Sequence, residues 1–471
     1  MIPIRIEKIQ EWMSAQKGQG SSAALISEVV TDSRKPMHAR SLFFALSGEN
    51  FDGHDYVEQA VNKGVGGVVV SRKNALDGVQ LPPEVAVLWV EDVLSALQDL
   101  AAAYRKFWGG KVVCVTGSNG KTSTKDMIAS AVDKQFKVIK TQGNLNNHIG
   151  LPLSILSADA EHDLGIFEIG MNHRGEIAPL AKIACPEVGV ITHVGMAHIE
   201  FLKTQENIAR EKGDLLRNLD ENGVAVIPAD VPYKEILCES VKARVCTVGM
   251  GEGDFHGEIA EVTAEGSKVV LLQDHEKVSF FLPVSGTHMA RNALLASAVA
   301  HILGVPLQEI AKNLEQLELT PGRMQQREVE GLCILDDTYN ANPDSMLAAL
   351  DAMTGISIKG RYIAVLGGMG ELGTESLKGH TQVGEAVANK RVSILIAVGE
   401  KAKMIADAAK QKGHTEVIWV ASPHEAASEL MKFATPDDLI LCKGSRSERM
   451  EIVWQSLTNF TDTKTFSRQS Q

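Results

Sequence analysis

The run Gly117-Ser118-Asn119-Gly120-Lys121-Thr122-Ser123, called here the phosphate loop, has the residue types of a phosphate-binding turn. An apolar stretch at 112–115 predicts a strand before it, and residues 122–135 predict a helix after it. Backbone N–H groups and the dipole at a helix N-terminus attract anions, and glycines allow close approach. Lys121 offers a charge to the β- and γ-phosphates, and Thr122 offers a hydroxyl to Mg²⁺. The loop therefore predicts ATP binding.

The phosphate loop is shorter than the common G-x-x-x-x-G-K-[ST] motif. Val115 stands five positions before Gly120, where that motif has glycine. The alternative is a tight turn between strand and helix that carries Lys-Thr by coincidence. The flanking strand and helix favour the phosphate site.

Polar residues near the ends of other predicted strands suggest a metal site beside the loop. Ligands of open parallel sheets bind beyond the carboxyl ends of the strands. Glu168 lies near the end of the apolar run 164–169 and supplies the hard oxygen that Mg²⁺ prefers. The other interpretation is a solvated loop glutamate. Taken singly, His198 is most simply a structural histidine and Lys212 a solvated helix lysine.

The order of the elements predicts an α/β chain of three domains. Residues 1–107 mix short strands with loops, which indicates a mixed α/β domain. Residues 108–319 alternate strands with helices, which predicts a parallel sheet, and polar–apolar alternation at 256–284 predicts an antiparallel addition. Alternation restarts after Pro321-Gly322 and predicts a Rossmann-like domain at 320–471. That domain has no G-x-G-x-x-G after its first strand, so we assign it no dinucleotide.

Composition excludes several classes of partner. The 471 residues carry a net charge of −12 with no long Lys/Arg run, which argues against nucleic-acid binding. The longest nearly apolar run, 293–305, is too short to span a bilayer, and the N-terminus has no signal-length apolar core. Six scattered cysteines indicate a reducing compartment. We expect a cytoplasmic monomer without membrane insertion.

Ten runs along nearly the whole chain resemble the Mur ligase family: TGSNGKTST, TQGNLNNHIGLP, EIGMNHRGEI, HVGMAHIE, IAREKGD, GTHMARNALLA, PGRM, DDTYNANPDS, LGGMGELG and KGSRSERME. DDTYNANPDS and GMGELG favour the family member that uses D-alanyl-D-alanine. The sequence lacks the Asp-Asn-Pro-Arg-type motif usual in the member that adds diaminopimelate or lysine.

The resemblance implies an ATP-dependent carbon–nitrogen ligase of peptidoglycan synthesis. The first domain would hold UDP-N-acetylmuramoyl-tripeptide, the second would bind ATP, and the third would bring D-alanyl-D-alanine. ATP would convert the tripeptide carboxylate into an acyl phosphate, which the amine of the dipeptide attacks. Because several anions must meet, such a site needs metal ions and cations.

The resemblance also implies roles for individual residues. It assigns the γ-phosphate to Lys121 and Arg323, one Mg²⁺ to Thr122 and Glu168, and a second Mg²⁺ to His198 and a carbamylated Lys212. A carbamate makes lysine an anion, which would explain a lysine in a metal site. These residues, apart from Thr122, are the expected catalytic set.

Further contacts implied by the resemblance surround this centre. The nucleotide contacts are the phosphate loop, His288 and Asn292 on the adenine side, Asp337 at the ribose, and Arg323. The uridine-diphosphate contacts are Ser33, Arg34, Ser47 and Gly48. The residues that orient the peptide substrates are Asn146, Asn147, Asn340 and Asn342.

Three positions depart from the family pattern. His193 stands where asparagine is usual, Met289 replaces a common asparagine, and Gly368 stands where aspartate is common. The last two predict a lost nucleotide contact and altered acceptor contacts. Two other functions stay open on the sequence: a relative such as a folylpolyglutamate synthase, and a P-loop switch or assembly ATPase that forms no amide.

Overall fold

The computed structural model describes residues 1–20, 24–273 and 275–458. Its N-terminal strands are β1 (Ile4–Arg5), β2 (Gln16–Lys17), β3 (Leu25–Ile26), β4 (Glu28–Val30), β5 (Ser41–Phe44), β6 (Gly67–Val70) and β7 (Ala86–Trp89). The helices are α1 (Ile6–Trp12), α2 (Val57–Asn62) and α3 (Val93–Trp108), with 3-10 turns at Gly53–Tyr56 and Lys73–Leu76. A mixed sheet has the order β2-β7-β6-β5-β4, parallel except for β2, and β1 pairs antiparallel with β3. The mixed α/β character predicted for this part is confirmed.

Helix α3 leads from the first sheet to the central one. The side chain of Asp92 caps its start by accepting from the backbone N–H of Ser95 at 2.7 Å. Leu97, Leu100, Ala101 and Tyr104 recur at helical spacing and are fully buried, so one face packs on the core. The helix ends at a glycine in the left-handed region, as helices often do.

A nine-stranded sheet forms the centre of the chain. Its strands are β8 (Lys111–Thr116), β9 (Val138–Lys140), β10 (Leu164–Glu168), β11 (Val188–Ile191), β12 (Val224–Pro228), β13 (Arg244–Met250), β14 (Phe255–Val262), β15 (Ser267–Gln273) and β16 (Glu276–Leu282). Its helices are α4 (Lys121–Val132), α5 (Gly150–Leu156), α6 (Ile177–Ala184), α7 (Ile199–Leu202), α8 (Gln205–Arg217), α9 (Lys234–Cys238), α10 (Thr287–Ile302) and α11 (Leu307–Leu314).

The strand order is β16-β15-β14-β13-β12-β11-β8-β10-β9. Neighbours from β9 to β14 are parallel, whereas β15 and β16 pair antiparallel at one edge. Residues 112–115 of β8 are fully buried on both faces, as expected for the middle of a sheet covered by helices. The predicted parallel sheet and its antiparallel addition are confirmed.

A six-stranded sheet follows. Its strands are β17 (Gln325–Val329), β18 (Leu332–Asp337), β19 (Tyr362–Gly367), β20 (Val392–Val398), β21 (Val417–Val420) and β22 (Leu439–Lys443). Its helices are α12 (Pro343–Gly355), α13 (Ser376–Asn389), α14 (Lys403–Gln411) and α15 (Pro423–Phe433), with 3-10 turns at Gly373–Glu375 and Arg446–Glu448, and residues 451–458 are helical. The order β17-β18-β22-β19-β20-β21 is parallel except for β17. This agrees with the Rossmann-like prediction, which did not include the edge strand β17.

The loops at the carboxyl ends of the two large sheets meet. The loop after β18 reaches the phosphate loop, and the loop after β19 reaches the segment between β11 and α7. Carboxyl ends of parallel strands are where ligands bind in such sheets, so this seam is the candidate site.

Candidate active site

The phosphate loop is held in a left-handed turn that admits only glycine easily. Gly120 precedes α4 with φ 78°, and a Cβ there would lie 2.8 Å from Oδ1 of Asn292. Lys121 is the first residue of α4, one position before the predicted start, and its Nζ donates to the carbonyl of Gly117 at 2.9 Å. Ser118 joins the phosphate loop to the segment between β11 and α7, because the hydroxyl of Ser118 accepts from the backbone N–H of Gly195 at 2.9 Å. The N-terminus of α4 is thus built to face a ligand.

A carboxylate stands beside this helix N-terminus. Glu168, at the end of β10, is only 3% exposed. Its Oε2 accepts from the hydroxyl of Thr122 at 2.8 Å, and its Oε1 accepts from Nδ2 of Asn146 at 2.8 Å. The two hydrogen bonds offset part of the cost of burying the carboxylate and set its orientation.

Arg323 reaches the same threonine from the other sheet. Its Nη2 donates to Oγ1 of Thr122 at 3.0 Å, and its guanidinium carbon lies 3.9 Å from the ring centre of Tyr339. Its Nε is buried and has no hydrogen-bond partner among the described residues. A half-buried guanidinium whose buried Nε–H has no partner is suited to a bound phosphate.

Lys121 lies among these charges. Burial lowers its pKa, the carboxylate of Glu168 opposes that effect, and the nearby charge of Arg323 reinforces it. Two cations held this close repel each other, so an anion that arrives between them is strongly favoured.

His198 is paired with a glutamate from the third sheet. It occupies the left-handed region (φ 63°, ψ 21°) just before α7. Its Nδ1 lies 2.7 Å from Oε2 of Glu371, in the loop after β19. Burial lowers the pKa of His198 despite this partner, and the contact lowers the pKa of Glu371.

Lys212 is buried in α8 and is 1% exposed. Burial, reinforced by the charge of Lys121, lowers its pKa well below the ordinary value. Within the described residues its amine has no hydrogen-bond or ion-pair partner. The preceding residue, Glu211, fixes α8 by accepting from the backbone N–H groups of Gly175 (2.8 Å) and Ile177 (3.0 Å). Lys212 is thus a buried amine whose surroundings favour its uncharged form.

The possible metal ligands in this site suit Mg²⁺, which needs few protein ligands, better than a metal ion coordinated by protein side chains alone. Among the described residues no three His, Cys, Asp or Glu side chains converge to hold an ion. Thr122 and Glu168 offer a hydroxyl and a carboxylate at one point. Mg²⁺ commonly uses one or two protein oxygens and completes its shell with phosphate oxygens and water. The residues present therefore fit Mg²⁺ accompanied by a phosphate ligand.

The expected nucleotide residues lie in α10, which contacts Gly120 of the phosphate loop, and at the end of β18. Asn292 is buried against the loop glycine and its Nδ2 lies 3.9 Å from Sδ of Met289. Burial lowers the pKa of His288, and the charge of Asp337 at the end of β18 opposes this effect. Asp337 accepts from Nζ of Lys443 at 2.5 Å. The structure thus brings the α10 residues and the end of β18 together.

The four asparagines have different surroundings. Asn146 donates to Glu168, whereas the side chain of Asn147 accepts from the N–H of Gly150, the first residue of α5, at 2.8 Å. The side chain of Asn340 accepts from its neighbour Ala341 at 2.9 Å. Asn342 caps α12 and exchanges hydrogen bonds with Asn119 of the phosphate loop. Asn147 and Asn342 therefore have structural partners besides any substrate.

The four expected uridine-diphosphate residues share one edge of the first sheet. Ser33 and Arg34 follow β4, and Ser47 and Gly48 follow the neighbouring parallel strand β5. Ser33 is 7% exposed, whereas the side chain of Arg34 is 87% exposed and pairs with Asp32 at 2.8 Å. The hydroxyl of Ser47 donates to a carboxylate at 3.0 Å, and Gly48 packs against the ring of a phenylalanine.

The structure shows what surrounds two of the residues that depart from the family pattern, His193 and Gly368. The carbonyl of His193 accepts from the N–H of Ser118 at 2.8 Å, so its backbone supports the phosphate loop. A Cβ at Gly368 would lie 2.7 Å from Cβ of Lys401, so this loop has no room for the aspartate common in the family.

Sequence reasoning missed several residues of the seam. Glu371 contacts His198, Asp344 accepts from the N–H of Met196 at 2.8 Å, Tyr339 stacks on Arg323, and Lys443 holds Asp337. All four lie within the family-like runs DDTYNANPDS, LGGMGELG and KGSRSERME. Their position in those runs was the available signal, but the runs do not show which side chains meet.

Three family descriptions match successive parts of the chain: "Mur ligase family, catalytic domain" at residues 25–105, "Mur ligase middle domain" at 115–300, and "Mur ligase, glutamate ligase domain" at 322–446. A relative from Bacillus subtilis, named UDP-N-acetylmuramoyl-tripeptide--D-alanyl-D-alanine ligase, is 36% identical over 437 residues, which cover 92% of this chain and 93% of that protein.

Comparison with solved structures agrees with these sequence matches. The crystal structure of MurF from Acinetobacter baumannii matches with a TM-score of 0.86 and 32% identity, over 97% of this chain and 99% of that one. MurF ligase from Thermotoga maritima in complex with ADP matches with a TM-score of 0.81 and 27% identity, over 93% and 98% of the two chains. The sequence runs, the seam between two parallel sheets and these matches lead to one conclusion: the chain belongs to the Mur ligase family.

Proposed function

We propose that this chain joins D-alanyl-D-alanine to UDP-N-acetylmuramoyl-tripeptide with hydrolysis of ATP to ADP and phosphate, which gives the UDP-muramyl pentapeptide precursor of peptidoglycan. The name of the Bacillus subtilis relative supports the substrates. The structural observation that supports it most is the hydrogen bond from Arg323 to Thr122, which joins the third sheet to the phosphate loop.

The cations account for the first step. Lys121 and Arg323 lie on two sides of Thr122, where the γ-phosphate of ATP would enter. Their charges offset the repulsion between the phosphate and the tripeptide carboxylate, whose oxygen attacks phosphorus and displaces ADP. Mg²⁺ held by Thr122 and Glu168 would add charge neutralisation. The product is an acyl phosphate.

The second step forms the amide. The uncharged amine of D-alanyl-D-alanine attacks the acyl carbon, and the tetrahedral intermediate expels phosphate. The loop after β18 contacts the phosphate loop, and the loop after β19 contacts the segment between β11 and α7. These two loops are the proposed site of the dipeptide, with Asn340 and Asn342 at its edge. A dipeptide bound there would also keep water from the acyl phosphate.

We propose that Lys212 carries a carbamate. An uncharged buried amine can attack carbon dioxide, forming an N–C bond and releasing one proton, and the product is an anion. Burial lowers the pKa of Lys212 and so favours the uncharged amine that this step needs. The carbamate would stand near His198, whose pKa responds to the charge of Lys212, and the two would hold a second Mg²⁺.

We propose domain boundaries at 107/108 and 319/320. Three groups of sheets drawn from successive parts of the chain support this division. The uridine-diphosphate residues Ser33, Arg34, Ser47 and Gly48 would then belong to the first domain. His288 and Asn292 would hold the adenine side, and Asp337 the ribose.

We propose a cytoplasmic monomer. In the described part of the chain no helix has the length and apolarity needed to cross a membrane. All six cysteines are free, in keeping with a reducing compartment. One chain supplies every proposed site residue, so a second copy is not needed. Light scattering of the purified protein at assay concentration would measure the mass in solution.

An amine panel tests the proposed function. Purified protein is given ATP, Mg²⁺ and UDP-N-acetylmuramoyl-tripeptide, then D-alanyl-D-alanine, D-alanine, glutamate or lysine, and the products are identified by mass. We expect one new amide, from D-alanyl-D-alanine. A requirement for glutamate would instead support a ligase of the folylpolyglutamate synthase type. Full-rate ATP hydrolysis without either peptide substrate would support a switch ATPase.

A further inference from the structure

Lys443 is a buried cation that the proposed reaction does not use. It ends β22, is 2% exposed, and lies in register with Asp337 at the end of the neighbouring parallel strand β18. Its Nζ donates to Oδ2 of Asp337 at 2.5 Å and to the backbone carbonyl of Asn340 at 3.0 Å. One ammonium group therefore joins a strand end to the loop that follows it.

The two partners of Lys443 lie at the sites proposed for two different substrates. Asp337 is the proposed ribose residue, and its Oδ1 accepts from the N–H of Met324, next to Arg323, at 3.2 Å. Asn340 lies in the loop between β18 and α12, at the proposed dipeptide site. Each carboxylate oxygen of Asp337 keeps a free lone pair, so a ribose hydroxyl can still donate to it.

We propose that Lys443 is a positioning residue that couples the nucleotide site to the acceptor site. A ribose bound to Asp337 fixes that carboxylate, the carboxylate fixes the ammonium of Lys443, and the ammonium holds the carbonyl of Asn340 and thus the dipeptide loop. The inference rests on the proposed function for the identity of the acceptor. Coupling of this kind is reciprocal, so the dipeptide must strengthen nucleotide binding by the same factor.

Calorimetric titration of ADP into the full-length protein, with and without saturating D-alanyl-D-alanine, measures that factor directly. We expect the dipeptide to tighten ADP binding in the wild type by about tenfold, the size of one charge-assisted hydrogen bond. In Lys443→Met the factor should fall to one. In the ligation assay the KM for the dipeptide should rise more than kcat falls, and Lys443→Arg should restore part of the coupling.

Lys125→Met is the matched control. Lys125 is also 2% exposed, donates to a backbone carbonyl (Thr141, 2.9 Å) and lies 3.3 Å from a carboxylate (Asp126), but it is in α4. The control should lose thermal stability and keep the coupling factor. Wild-type coupling in Lys443→Met, or equal loss of coupling in both variants, would overturn the proposal.

Hydrogen exchange of the wild type gives a test that does not depend on a folded variant. ADP should slow exchange of the backbone amides at 339–342, and unchanged exchange there would overturn the proposal. The amine panel separates the two hypotheses. If the wild type makes the amide but shows no coupling, only the role of Lys443 fails. If it makes no amide, the proposed function fails and the exchange experiment still tests Lys443.

Discussion

Asn119 and Asn342 exchange two amide hydrogen bonds. Nδ2 of Asn342 donates to Oδ1 of Asn119 at 2.7 Å, and Nδ2 of Asn119 donates back at 3.2 Å. The two residues are 223 positions apart, one in the phosphate loop and one at the N-terminus of α12. This pair ties the third sheet to the nucleotide site.

Replacing Asn342 with serine separates its two roles. Serine also caps helices well, so the cap on the N–H of Ser345 is kept while the amide pair with Asn119 is lost. We expect Asn342→Ser to melt close to the wild type and to lose about tenfold in kcat/KM for ATP. Asn342→Ala should lose the same activity and, because the cap is gone, about 1 kcal/mol of stability. Wild-type turnover in the serine variant would show that the pair does not contribute.

Thr122→Val tests the hydroxyl that joins Glu168 to Arg323. Valine keeps the shape but neither donates to the carboxylate nor accepts from the guanidinium. We expect kcat to fall by about 10²-fold, since both groups lose their fixed positions at the phosphate. Thr122→Ser keeps the hydroxyl, and its kcat should stay within a few-fold of the wild-type value because only one methyl group is lost. Equal kinetics in the valine and serine variants would contradict the role.

Substitution of Lys212 tests the carbamate. Lys212→Ala removes the amine, and Lys212→Arg keeps a cation that cannot be carbamylated. We expect both variants to be inactive at any bicarbonate concentration. The wild type, incubated with ¹³C-bicarbonate, should show a carbamate carbon resonance that both variants lack. Turnover comparable to the wild type in the arginine variant would rule out a carbamate ligand.

Asp438, which lies outside the candidate site, should make the stability of the fold depend on pH. Burial raises the pKa of Asp438, but hydrogen bonds from Arg361 and Thr435 outweigh that effect and bring the pKa to about 2 from 3.8. A depressed folded-state pKa adds stability above the unfolded value, and that stability is lost as the pH falls through about 2.

Asp438→Asn should therefore lower the free energy of unfolding by about 2 kcal/mol at pH 7, from the size of that shift. In urea titrations the gap between variant and wild type should stay constant down to the unfolded pKa of 3.8 and shrink towards pH 2. Ligase activity per folded molecule should not change. A gap that persists at pH 2 would show that the stabilisation does not come from the charge.

The sequence predicted the elements well where the pattern was strong. The strand predicted at 112–115 lies within β8 (Lys111–Thr116), and the helix predicted at 122–135 is α4 (Lys121–Val132). The edge strand β17 was missed because four of the five residues in Gln325–Val329 are polar, so the segment has no apolar alternation.

The contacts of the seam could not be predicted from local pattern. Glu371 meets His198, and Arg323 meets Thr122, only because two sheets pack with their carboxyl ends together. No periodicity links residues so distant in sequence. The family resemblance supplied Arg323 and His198 but gave no reason to pair His198 with Glu371.

The hydrogen bond between Arg323 and Thr122 also has a consequence for the hydrolysis of ATP in the absence of ligation. Arg323 follows Pro321-Gly322, the link between the two large sheets, so it would leave the phosphate loop whenever the third sheet swings away. An open enzyme would then hold ATP with Lys121 but without the second cation. Cleavage of the γ-phosphate would then have to wait until Arg323 returned to Thr122, so this hydrogen bond would limit the loss of ATP to hydrolysis.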